Sequence, residues 1–76
     1  MNTKTTYQFT LPSGEVITKT STRKIRAACA VLEDGAWRII STHGSYRHSR
    51  AAEYRYLLNN YQADQAQSLF ASIVNQ

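Results

Sequence analysis

Arg26-Ala27-Ala28-Cys29-Ala30-Val31-Leu32-Glu33-Asp34-Gly35 is the stretch on which the fold turns. Alanine is the best helix former, so the small residues between Lys24 and Leu32 admit a helix. Against this, Asp-Gly is among the strongest two-residue hairpin signals, and Ala36-Trp37-Arg38-Ile39-Ile40-Ser41-Thr42 follows at once with β-branched and aromatic residues. The hairpin favours a strand over 24–32, with helix as the alternative. As a strand, its alanines and single small thiol leave space for a helix to lie close, with Ala27, Cys29 and Val31 or their neighbours facing it.

Upstream, Tyr7, Phe9 and Leu11 alternate with Thr6, Gln8 and Thr10, the period-two pattern of a strand with one buried face. Pro12-Ser13-Gly14 turns the chain, and Glu15-Val16-Ile17-Thr18-Lys19-Thr20 returns as a β-branched partner. Downstream, His43 to His48 reads as a loop and Ser49 as an N-cap. Ala51, Tyr54, Leu58 and Tyr61 recur at helical spacing from Arg50 onward, which makes them the buried face of a first helix ending at Asn59-Asn60. Asp64 and Gln67 form a capping box, and Ala66, Leu69, Phe70, Ile73 and Val74 fit a second amphipathic helix over about 65–75. The expected architecture is α+β: a four-stranded antiparallel sheet of two hairpins, followed by two C-terminal helices packed on one face. Residues 1–76 form one domain, because a chain this short has material for a single core.

Charge is segregated along the chain. Eight of nine basic residues (Lys19, Arg23, Lys24, Arg26, Arg38, Arg47, Arg50, Arg55) lie between 19 and 55, where only Glu33, Asp34 and Glu53 oppose them; beyond Arg55 stands Asp64 and no base. A net charge of +4 placed this way points to an acidic partner rather than to mere solubility. No apolar run approaches the roughly 20 residues that cross a bilayer, so no membrane role is expected. Met1 to Thr5 lacks the apolar stretch of a secretory signal, and Cys29 has no partner for a disulfide, so a cytoplasmic setting is expected.

Cys29, His43 and His48 have no metal-ligand spacing, and no metal or cofactor is expected. Cys29 sits among apolar residues, the setting of a buried small hydrophobe rather than of a nucleophile. The histidines with Tyr46, Arg47 and Arg50 match a small metal-independent ribonuclease in residue type alone; that is a third reading, and the chain is expected not to be an enzyme. The strongest pattern is the interleaving of Tyr46, Arg47, Arg50, Tyr54, Arg55, Tyr56 and Tyr61. Arginine forks clamp carboxylates and phosphates, and tyrosine and arginine dominate protein–protein hot spots. Tyr46, Arg47, Arg50, Arg55 and Tyr56, with Arg26 and Arg38 paired across the Asp34-Gly35 hairpin, are therefore the expected partner-binding residues.

Thr22-Arg23-Lys24-Ile25-Arg26-Ala27-Ala28, Asp34-Gly35-Ala36-Trp37 and Ser41-Thr42-His43-Gly44-Ser45 resemble the style of short orphan proteins of bacteriophages and mobile elements, among them anti-CRISPR proteins. The resemblance covers about a third of the chain and is one of size and style, so no functional residue carries over from it. It implies a stoichiometric inhibitor seated on a protein or nucleoprotein complex that processes nucleic acid. Many such inhibitors are acidic mimics of DNA, which a basic chain is not. The partner expected here is an acidic surface on such a complex, and direct DNA or RNA binding is the alternative.

Overall fold

The computed structural model describes residues 3–59 and 63–74. Strand β1 (Thr5–Thr10) pairs antiparallel with β2 (Val16–Ser21). Their turn is closed by the Gly14 amide on the Leu11 carbonyl and the Leu11 amide on Glu15, with Gly14 at φ 96°. Strand β3 (Ala27–Glu33) pairs with β4 (Ala36–His43). Asp34 and Gly35 both have positive φ, 54° and 78°, the two left-handed positions of a type I′ turn. Segment 27–33 is thus a strand, despite its alanines.

Helix α1 (Tyr46–Asn59) follows, and then β5 (Ala63–Phe70) and the two-residue β6 (Ser72–Ile73). The two hairpins belong to separate sheets: β2-β1-β6 and β4-β3-β5, each antiparallel. This overturns the expected single four-stranded sheet with two C-terminal helices. The segment expected to be the second helix, 65–75, is β5 and β6 over its described length. Its chain leaves one sheet and enters the other at Ala71, whose amide donates to the Arg26 carbonyl, while the Val74 amide donates to Thr6.

Backbone satisfaction explains the correction. All five residues Ala27–Val31 are fully buried, so peptide groups on both edges of β3 must find partners within the protein. β4 supplies one edge and β5 the other; a helix at 65–75 would leave the second row bare. The helical spacing of Leu69 and Ile73 comes instead from one extended segment that serves two sheets.

β3 is buried because it is covered on both faces. Ala28 and Ala30 meet Tyr7, Phe9, Leu11, Ile25 and Leu69 in the main core, with Ile17, Trp37 and Ile39 packed against it. Ala27, Cys29 and Val31 point the other way, toward α1. A bulge between Cys29 and Ala30 accommodates an extra residue in β4, where Ile39 pairs with Ala30 and Ser41 with Cys29. Such close-packed small residues have no spare volume. Replacing Ala30 with Leu should destabilise the protein by about 1–3 kcal/mol or more in a urea melt, whereas Leu58→Ser, at a position 86% exposed, should stay within about 0.5 kcal/mol.

Candidate partner-binding surfaces

The N-cap of α1 lies four residues before the expected Ser49 cap. Ser45 is the N-cap: its Oγ accepts the His48 amide at 3.2 Å and bonds the His48 ring Nδ1 at 2.6 Å. Ser49 instead lies on the side of the helix facing the sheet and is fully buried. Its hydroxyl is 2.7 Å from that of Ser68 on β5, and Ser68 donates its proton to the Glu53 carboxylate, so Ser49 donates to Ser68. This chain of three polar groups, with Cys29 beneath, is where the middle of the helix rests on the sheet. Two further ties flank it. Tyr56 donates to Glu33 at 2.8 Å, and the Arg38 guanidinium reaches the same carboxylate at 2.6 and 3.0 Å and the Tyr56 hydroxyl at 3.1 Å. At the other end the Tyr46 ring stacks on Phe70, centroids 4.4 Å apart and planes 9° from parallel.

The helix is therefore turned opposite to expectation. Its apolar periodicity assigns Ala51, Tyr54, Leu58 and Tyr61 to the core, yet Ala51 is exposed, Tyr54 is 60% exposed and Leu58 is 86% exposed. Asn60 and Tyr61 lie outside the described residues. The inward face is Ser49, Glu53 and Tyr56, because the sheet opposite offers Ser68, Cys29 and Glu33, and buried polar groups must be paired.

Apart from Tyr46, stacked on Phe70, the expected partner-binding residues fall into three groups. Arg38 and Tyr56 are engaged with Glu33, which Arg38 first and Tyr56 second hold below the usual carboxylate range. Arg47, Arg50 and Arg55 lie exposed on α1. Arg50 donates to the Tyr54 hydroxyl at 3.2 Å, sits 5.8 Å from the centre of that ring and is 3.8 Å from Glu53. Arg26 lies exposed just before β3 at the far end of the hairpin from Arg38, which pairs with Val31, so these two arginines are not neighbours.

A residue that sequence reasoning placed on a buried helical face, Phe70, is 70% exposed at the end of β5. With Tyr46, Ser45, Lys24, Arg26 and Ile73 it lines a cleft of about 490 Å³. The strand register explains the chemistry there. The starts of β3 and α1 and the ends of β4 and β5 meet at this end of the sheet, which brings Lys24 and Arg26 into one cleft with Ser45 and Tyr46. Glu33, Asp34 and Asp64 lie at the opposite end, where Arg38 is held on Glu33.

Among the described residues no three His, Cys, Asp or Glu side chains group as metal ligands, and no helix is long and apolar enough to cross a membrane. The His43 ring Nε2 is bonded to Ser41 at 2.7 Å, and burial, then His48 nearby, hold its pKa below the usual histidine value. Burial first, and the Glu53 charge second, push the Cys29 thiol up to about 11. No protein-family model, curated protein or solved structure matches the chain.

Two outcomes follow from these environments. Cys29 should react with a thiol reagent only after denaturation; rapid labelling of the native protein would show that the helix lifts off the sheet. His43 titrates lower when folded, so the unfolded chain takes the proton first and stability should decline as pH falls below about 6.5. His43→Gln should flatten that part of a melting-temperature profile, and an unchanged decline would assign it to other groups.

Proposed function

We propose that this chain is a non-enzymatic, stoichiometric binding protein that docks on a partner protein through the outward face of α1. One observation carries the reading: the helix buries Ser49 and Glu53 while exposing Tyr54 and Leu58. Arg47, Ala51, Tyr54 and Leu58 follow one another at intervals of four, three and four residues, the spacing of a seam that packs against another helix or into a groove. Arg50 and Arg55 flank that seam, and Arg50 braces the Tyr54 ring. Tyrosine and arginine side by side, with aliphatic neighbours, are the composition of an interface centre.

The partner is a protein with an apolar groove bordered by carboxylates. A second copy of the same helix is a poor occupant, since it brings only more arginines to the seam, and like charges across an interface oppose association. The resemblance to anti-CRISPR and other mobile-element proteins supplies a setting: an inhibitor seated on an acidic surface of a complex that processes nucleic acid. A catalytic reading finds little support, because the hydroxyls of Ser49 and Ser68 and the Cys29 thiol are buried and each histidine ring is bonded to a neighbouring serine.

The test is affinity purification from the native host with the wild-type chain and with Leu58→Asp, followed by titration of the recovered protein. Leu58→Asp should lose the partner with no change in melting temperature, and Tyr54→Ala should cost about 2 kcal/mol, roughly 30-fold in affinity. A partner held equally well by both variants would move the interface off this face. Binding to bare nucleic acid that Leu58→Asp abolishes would instead assign the helix to direct nucleic-acid binding.

A further inference from the structure

The cleft at the basic end is not part of the seam on α1 and has a different chemistry. Phe70 has one ring face on Tyr46 and is 70% exposed, so the stacked pair presents a flat aromatic surface to solvent. Lys24 and Arg26 line the same cleft, and among the described residues neither makes a salt bridge. Among the described residues no carboxylate lines it. The first turn of α1, at its edge, carries Arg47 and no acidic residue, so the positive end of the helix dipole adds to the side-chain charge instead of being neutralised. A helix start normally favours acidic residues; cations there leave the positive potential for an external anion.

We infer that this cleft is a site for single-stranded nucleic acid, with a base stacked on Phe70 and the flanking phosphates held by Lys24 and Arg26. An aromatic platform beside a cationic rim, open on one side and without a rigid array of base-edge donors and acceptors, is how proteins bind single strands with little sequence preference. A duplex does not fit the arrangement, because its bases are already stacked on one another and cannot reach the ring. The proposal stands apart from the docking role of α1: it places a strand of nucleic acid at one end of the molecule and a protein along the helix.

Fluorescence anisotropy of the full chain with a labelled oligothymidine tests it. If two phosphates are neutralised, log K should fall against log[salt] with a slope of about −1.4, about sevenfold between 50 and 200 mM. Phe70→Ala should weaken binding by roughly tenfold or more at every salt concentration while keeping the slope, and Phe70→Trp should restore it. Lys24→Ala with Arg26→Ala should flatten the slope. Leu58→Asp should change nothing here, which separates failure of this site from failure of the helix interface. Absence of strand binding, full affinity in Phe70→Ala, or equal or tighter binding of a duplex would overturn the proposal. Displacement of the strand by polyglutamate at equal charge concentration would overturn it too, by showing an acidic protein segment to be the better occupant.

Discussion

Everything in this structure depends on β3 being covered from both sides. A strand with a helix on one face and a second sheet on the other must carry small side chains on both, and Ala27-Ala28-Cys29-Ala30-Val31 does so. Close approach on the helix side leaves little depth for long aliphatic groups, so that interface is built from Ser49, Ser68, Glu53 and Cys29. Apolar residues of α1 that would be needed above a deeper core have no place there and face outward. The exposed seam is thus a consequence of what β3 can accept, and binding chemistry on α1 follows from packing chemistry beneath it.

Polar packing of this kind is specific. Each buried hydroxyl or carboxylate has a defined donor or acceptor, so the helix has few alternative seatings in which all are satisfied. The Glu33, Arg38 and Tyr56 cluster and the Tyr46–Phe70 stack fix its two ends. A rigidly held helix suits recognition, because side chains already ordered before binding lose less entropy when a partner arrives.

Local signals in the sequence were legible, and those that depend on distant segments were not. Asp34-Gly35 marks its hairpin because the left-handed turn is a property of two residues, and Pro12-Ser13-Gly14 likewise. Small residues in β3 signal the close approach of a helix, but whether Ala27, Cys29 and Val31 or their neighbours face it is decided only by the fold. The periodicity of Ala51, Tyr54 and Leu58 misleads, since it reports where apolar groups lie on the helix and not which surface they meet. Residues 63–73 mislead for a related reason: a strand that changes sheets at Ala71 mimics helical spacing, and only the unsatisfied edge of β3 reveals its role. Arg26, Arg47, Arg50 and Arg55 emerge on the surface as the charge pattern suggests, while Arg38 and Tyr56 are taken up by Glu33, a pairing invisible without the fold. Phe70 was missed as a surface residue because a phenylalanine in an amphipathic pattern reads as core.

The pairing of β3 with β5 has a kinetic side. Hairpin β3–β4 needs only the two-residue turn and closes locally, but the other edge of β3 waits for residues thirty or more positions downstream. Until they arrive, the uncharged run Ala27–Leu32 of β3 presents open amides and carbonyls, a template for pairing with another chain. Long-range contacts of this kind slow folding. That interval is when the chain is most exposed to aggregation.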